Sequence, residues 1–594
     1  MAYTNSSLSV VSTLRRIAGG RRTPACESQC TRPAAMRWHK PALAAALLLC
    51  LGMWAEQGAR AAAAGGLAAT PPMGWNDWAH YQCDFTAATI LANARALVRT
   101  GLAARGYNTV TIDDCWMTKT RDSRGNLQAD PRRFPQGMRP VAAAIHALGL
   151  KFGIYEDAGY ETCGRFAGSG EPKGGGAPHF LADATLFASW GVDYLKLDGC
   201  NVYVHKGESV NDAYRTAYRA ESIALAHVHR PIVFSESAPA YFQGEPAWYD
   251  VLGWVRGYGQ LWREGTDIDV YDGRNPARSR FSSVLWNYEY NLPLGRYQSP
   301  GNWDDSDFII GGDSGMTLAE TRSQLALWSM MSAPLILSSD LDRQTPAALR
   351  ILGNRAVLAV DQDRQGRMAT LLRRNPASDE LMKPLRDGGY AVAVLNRSAA
   401  TLPVRLLPAD LGFEGAGCRL DARFLWSGAH QPQLVALRAD VAAHDTAIWT
   451  IRPNAACGTP ARIGTVTRIL QSPADANRAT PDLTRYTLCL AASGVAEQCA
   501  GTAAETWEVT GDGALRSGGK CLAQKGDRAV LTACSSSTDQ AWKYDLRGQL
   551  VNSASRLCLT GPTHGALEVK ACGQNLPSQI WSLPTGATLR EMVR

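Results

Sequence analysis

The stretch YLKLDGCN, residues 194–201, decides the fold. Side chains alternate across a strand, so Leu195 and Leu197 share one face while Lys196, Asp198 and Cys200 share the other. A lysine and an aspartate on an inward strand face are costly unless they are paired or used. Three further runs have the same character: TVTIDDCW (109–116), KFGIYED (151–157) and PIVFSES (231–237). Between them lie Ala/Leu-rich stretches with helical spacing, such as RPVAAAIHALG and DATLFASWG. Strands separated by helices predict βαβ units and a parallel sheet. Polar residues gather at the C-terminal end of each strand: Asp113 and Asp114, Glu156 and Asp157, Asp198, Ser237. In a (β/α)8 TIM barrel that edge builds the active site. The expected class is therefore α/β, with a barrel over residues 66–362. The alternative is an open doubly wound sheet, but no GxGxxG opens the first βα turn.

Beyond the barrel the pattern changes. Residues 363–458 read as short alternating strands (GGYAVAVLN, CRLDARFLWSG, DTAIWTI) with no long helix, an antiparallel β-sandwich whose ends Cys418 and Cys457 could bridge. Residues 466–585 repeat internally: each unit has Cys-Leu, a second cysteine, and a tryptophan in Glu505-Thr-Trp507, Gln540-Ala-Trp542 or Gln579-Ile-Trp581. This segment resembles the ricin-B-type lectin module, a β-trefoil. The resemblance implies one disulfide per unit: Cys489–Cys499, Cys521–Cys534 and Cys558–Cys572. Sugar-binding repeats of that module place Asp shortly after Cys-Leu, where this chain has Ala491, Ala523 and Thr560. The expectations are a carbohydrate ligand or a purely structural trefoil.

The 594 residues carry a net charge of +7 without a Lys/Arg block interleaved with aromatics, which argues against nucleic acid as a partner. Residues 1–61 read as a cleaved leader: a basic start from Met36 to Lys40, an apolar run from Pro41 to Trp54, and a small-residue site at Ala59-Arg60-Ala61. The run is too short to span a bilayer, so the expectation is a secreted or periplasmic protein with no membrane partner. Cys26, Cys30 and Cys50 fall in the leader, leaving twelve of 15 cysteines, an even set without CxxC that favours disulfides over a metal site. The oxygen-rich 303–307 lacks the spacing of a calcium loop, so no metal and no cofactor are expected.

Glycoside hydrolysis commonly uses two carboxyl groups, one ionised and one protonated. Asp198 is one candidate, with Lys196 expected to lower its pKa. LWREGTDID supplies the other, Asp267, four residues after Arg263. Five blocks, MGWNDW (73–78), TIDDCW (111–116), GIYEDAG (153–159), YLKLDGCN and WREGTD (262–267), together resemble glycoside hydrolase family twenty-seven, which contains α-galactosidases and α-N-acetylgalactosaminidases. The resemblance implies a retaining double displacement with Asp198 as nucleophile and Asp267 as acid/base, roughly 5–5.5 Å apart. It implies Trp78 as an apolar wall, Asp113 and Asp114 on the 4- and 6-hydroxyls, and Lys196 and Arg263 on the remaining hydroxyls. Tyr155 and Tyr241 would lie in the pocket, and Asp305 and Asp307 at the end of the seventh strand. Cys83–Cys115 and Cys163–Cys200 are the implied barrel disulfides. Trp75 and Asp269 are expected to be structural, His80 to sit on the rim, and Glu156 and Asp157 to pair with cations.

One block departs from the α-galactosidase pattern. In SESAPAY (235–241), Ser237 and Ala240 stand where animal α-galactosidases have Glu and Leu, and where α-N-acetylgalactosaminidases have Ser and Ala. Glu236 and Ala238 match neither group. The leading expectation is an α-galactosidase acting on an oligosaccharide or glycan. The alternatives are an α-N-acetylgalactosaminidase or dual enzyme, then an isomaltodextranase or β-L-arabinopyranosidase, and last a non-catalytic lectin.

Overall fold

The computed structural model describes residues 66–469, 487–561, 565–574 and 576–584, and the expected leader lies outside them. Eight strands form one parallel sheet: β1 Met73–Asn76, β2 Thr109–Ile112, β3 Lys151–Asp157, β4 Tyr194–Asp198, β5 Val233–Glu236, β6 Leu261–Arg263, β7 Trp303–Asp305 and β8 Leu335–Leu337. Their order is β7-β6-β5-β4-β3-β2-β1-β8. The circle closes just beyond β7, where Ile309 bridges to Leu337 and its N–H donates to the Ile336 carbonyl at 2.8 Å. The chain therefore forms a (β/α)8 barrel. The intervening segments are helical where the apolar spacing predicts it, for example Met138–Ala147 and Phe180–Trp190. Thr317 and Glu320 close a reciprocal cap at the start of Leu318–Met331 (3.2 and 2.8 Å), satisfying two otherwise open N–H groups.

Register sets which residues share the barrel's interior. Tyr155 lies opposite Lys196, Asp157 opposite Asp198, and Arg263 opposite Asp305. The alternate row, Glu156, Leu197, Glu236, Trp262 and Asp304, occupies the other face of the same strands. This corrects the expectation that Glu156 meets a cation. Both of its oxygens are buried without a hydrogen-bond partner among the described residues, because Arg121 is committed to Asp183 at 2.6 Å. Asp157 likewise accepts from the Gly159 and Cys200 N–H groups (2.7 and 3.0 Å), not from a cation.

After the barrel, a six-stranded antiparallel sheet and a two-stranded partner form a β-sandwich core around Val392, Leu420 and Trp449. Next comes a β-rich unit whose core holds Trp507, Trp542 and Trp581. Each of these indoles donates to the carbonyl of a Cys-Leu leucine: Leu490 at 2.6 Å, Leu522 at 3.0 Å and Leu559 at 3.0 Å. The glutamates and glutamines two residues before them cap turns: Glu505 accepts from Ala500 N–H, Gln540 from Ser535 N–H and Gln579 from Gly573 N–H. The repeat signature is thus a set of internal braces. Disulfides join Cys83–Cys115, Cys163–Cys200, Cys418–Cys457, Cys489–Cys499, Cys521–Cys534 and Cys558–Cys572.

The three parts interlock. Glu289 on a barrel helix meets Arg374 of the sandwich, which also pairs with Asp379 at 2.6 Å, all three side chains being buried. Arg296, also buried, sends its guanidinium into the last unit, donating to the Leu546 and Arg547 carbonyls at 2.9 and 3.2 Å.

Candidate active site

Asp198 ends β4 with its carboxylate held by three donors. Tyr241 O–H donates to Oδ1 at 2.6 Å, Gly199 N–H to Oδ1 at 3.0 Å, and Tyr155 O–H to Oδ2 at 3.1 Å. Burial pushes its pKa up; Lys196 and the Tyr241 hydrogen bond pull it back, while Asp267 pushes it up again. The downward pull of Lys196 on the Asp198 pKa is the expected one, although the lysine's ion-pair partner lies elsewhere. Its Nζ pairs with Asp113 Oδ2 at 2.7 Å and sits between the Tyr155 and Phe308 rings, 5.2 and 5.1 Å from their centroids. Lys196 acts on Asp198 only through space.

The loop after β2 presents the other acceptors. Cys115 takes φ 72°, a left-handed turn that a β-carbon disfavours and that the bond to Cys83 pins in place. Asp113 also accepts from Asn76 Nδ2 at 2.7 Å, and Asp114 accepts from Gly164 N–H at 2.7 Å and Cys115 N–H at 2.6 Å. Burial nevertheless pushes the Asp114 pKa up to about 6. Trp78, half-buried, opens the short helix Trp78–Tyr81 directly after β1, its N–H on Asn76 Oδ1 at 2.8 Å. Ser237 is buried behind β5 with its N–H on the Leu197 carbonyl at 3.0 Å. Half-buried Ala240 sits in the turn Ala238–Phe242 that delivers Tyr241 to Asp198.

Asp267 follows β6 in a different setting. Its side chain is 62% exposed and its Oδ1 lies 3.2 Å from Arg263 Nη2, whose own side chain is 5% exposed. Arg263 also pairs with Asp307 Oδ2 at 3.0 Å. Asp307 has φ 75°, a left-handed kink two residues beyond β7 that lets its Oδ2 accept from Ile268 N–H at 2.6 Å. Asp305, inside the rim, is pushed up to about 7 by burial, against the pull of Arg263.

Sequence reasoning did not single out Asn76, Asp77 or Gly199. Asp77 Oδ1 fixes the Asp113 N–H at 2.8 Å and Asn76 fixes its carboxylate. Both stand in the MGWNDW block, so adjacency to Trp78 was the available signal. Asp157, Cys163, Asp198 and Cys200 converge within 4.8 Å, but the two sulfurs are bonded to one another, which leaves two carboxylates and no thiolate for a metal.

The barrel rim gathers carboxylates, a buried lysine and an arginine, a set of side chains that glycoside hydrolysis can use. Residues 70–363 match the alpha galactosidase A family, residues 378–451 the alpha galactosidase C-terminal beta sandwich domain, and residues 487–581 the ricin-type beta-trefoil lectin domain. Alpha-galactosidase A of Aspergillus niger is 38% identical over 533 residues, covering 88% of this chain and 92% of that protein. The alpha-galactosidase of Cyamopsis tetragonoloba is 34% identical over 66% of this chain and 88% of its own length. Among solved structures, alpha-galactosidase I from Mortierella vinacea superposes with a TM-score of 0.58 at 28% identity, covering 66% of this chain and 100% of that one. The chain belongs to the α-galactosidase family of glycoside hydrolases.

Proposed function

We propose that this protein is a secreted, exo-acting, retaining α-galactosidase with Asp198 as nucleophile and Asp267 as general acid and then base. The observation that carries the assignment is the unequal setting of the two carboxylates. Asp198 is held by three hydrogen-bond donors that work against the upward push of burial, whereas the Asp267 side chain is 62% exposed at the rim, 3.2 Å from Arg263. In the first step an Asp198 oxygen attacks the anomeric carbon as Asp267 protonates the departing oxygen. In the second, Asp267 takes a proton from water, the water oxygen attacks the same carbon, and the Asp198–sugar bond breaks. Asp113 and Asp114 accept from the 4- and 6-hydroxyls, an arrangement suited to an axial 4-hydroxyl, with Lys196 and Arg263 donating to neighbouring oxygens and Trp78 and Tyr155 as walls. Six disulfides support an oxidising, extracellular destination, and among the described residues no helix is long and apolar enough to cross a membrane.

Asp198→Asn is expected to lower kcat on an aryl α-galactoside by roughly 10⁴-fold or more. Unchanged turnover would refute the assignment, as would NMR showing the β-anomer released first. A second reading, α-N-acetylgalactosaminidase, is favoured by the small Ser237 and Ala240 beside Tyr241. Parallel assays on aryl α-galactoside and aryl α-N-acetylgalactosaminide decide between them by the larger kcat/KM.

A further inference from the structure

A retaining mechanism needs its two carboxyl groups at one separation, and a displacement of about 1 Å costs roughly 10²-fold in rate. Asp267 follows the end of β6 with its side chain 62% exposed, so its position is set by its backbone more than by side-chain packing. That backbone is held on both sides. After Asp267, Ile268 N–H donates to Asp307 Oδ2 at 2.6 Å. Before it, Thr266 N–H donates to Gln243 Oε1 at 3.2 Å, and Trp286 Nε1 reaches the same oxygen at 3.4 Å. Two N–H donors facing one atom require the amide's oxygen there. Its Nε2 is buried without a hydrogen-bond partner among the described residues. Gly265 lies so close to this amide that a β-carbon there would overlap it. Gln243 stands two residues after Tyr241, whose O–H donates to Asp198 Oδ1 at 2.6 Å. The same segment reaches the Asp267 loop once more where Trp248 Nε1 donates to the Glu264 carbonyl at 2.7 Å. One short stretch, Tyr241 to Trp248, thus touches the proposed nucleophile at one end and the loop of the proposed acid/base at the other.

We propose that Gln243 is a positioning residue for the reaction, a strap that ties the backbone beside Asp267 to the turn that holds Asp198, so that the two carboxyls keep one spacing. The proposal rests on the retaining reading above. The Gln243 oxygen faces Thr266 and Trp286, so it acts through Asp267 and not on the sugar. Without it, Arg263 and Asp307 still hold the other contacts of the loop and Tyr241 still holds Asp198. The loss therefore falls on proton transfer at Asp267, with the nucleophile left in place.

The test uses the full-length enzyme and its Gln243→Met, Gly265→Ala and Asp267→Ala variants, with methyl and dinitrophenyl α-D-galactopyranosides as substrates. Methanol leaves only with a proton, whereas dinitrophenolate departs unaided, so the ratio of the two kcat/KM values reads proton donation to the leaving oxygen. Gln243→Met removes the acceptor at nearly constant length. It is expected to lower kcat/KM on the methyl glycoside roughly tenfold or more, and on the dinitrophenyl glycoside by less than about threefold. Gly265→Ala, whose methyl displaces the amide, is expected to give the same skewed loss, and it carries the test if Gln243→Met does not fold. Equal losses on both substrates, or none, would overturn the strap, because an amide that only supports the fold lowers both rates together. Asp267→Ala separates this result from the reading beneath it. A skewed loss there beside an even one in Gln243→Met sinks the strap alone, whereas an even loss in Asp267→Ala sinks the acid/base assignment and the strap with it.

Discussion

Lys196 shows how a single residue serves the site at a distance. Its ammonium is buried, and Asp113, Asp198 and Asp267 hold its pKa above the usual lysine range despite that burial. The Asp113 partner is 83 residues away and at the end of a different strand, so the pairing exists only because β2 and β4 flank β3 in one closed sheet. Lys196→Met leaves the Asp113 carboxylate buried without its cation, a loss of about 3–5 kcal/mol in stability. Denaturant midpoints should show it, and adding Asp113→Asn should restore part of it, the sign of direct coupling in a double-mutant cycle. Alternation along YLKLDGCN was enough to place Lys196 and Asp198 on a working face. Which acid the lysine would grip depended on strand order, which local sequence does not encode.

At the scale of the strands, the outward row is the unexpected part. Glu156, Glu236 and Asp304 alternate with the row that holds Tyr155, Lys196 and Asp198, and Glu221 and Glu264 lie buried as well; both oxygens of all five lack a hydrogen-bond partner among the described residues. Burial pushes each of these carboxyls well above its ordinary pKa, so the folded protein prefers them protonated. A raised folded pKa gives stability that is full below the unfolded value near 4 and is lost as pH climbs toward the folded one. The enzyme is therefore expected to melt at a lower temperature at pH 9 than at pH 5. Glu236→Gln should flatten that slope, as thermal unfolding across the range would reveal; an unchanged slope would remove Glu236 from the account. Period-two reading exposes these acids as readily as Asp198. It cannot say which row faces the helices, because that depends on which face the helices cover.

The whole molecule behaves as three interlocked parts. Arg296 enters the trefoil over the rings of Tyr297 and Tyr249, 4.6 and 5.7 Å from their centroids, and the socket closes around Gly548. Gly548 has φ 91°, and a β-carbon there would sit 2.9 Å from the Trp581 carbonyl and 3.1 Å from Arg296. Gly548→Val and Arg296→Ala are each expected to cost about 1–3 kcal/mol and to split unfolding into separate calorimetric transitions, while kcat on an aryl galactoside stays within about twofold. One unbroken transition in both variants would show that this contact does not couple the units. The trefoil's cysteine and tryptophan spacing made its fold legible, and its three tryptophans act as braces rather than as an exposed surface. By itself the sequence determined the barrel, the sandwich, the trefoil repeat and the two candidate carboxylates, because periodicity and motif spacing are local and survive in one dimension. Only the tertiary structure decided that Lys196 serves Asp113 and that Arg296 holds the trefoil, because each joins segments far apart in the chain and depends on how closed sheets and loops meet in space.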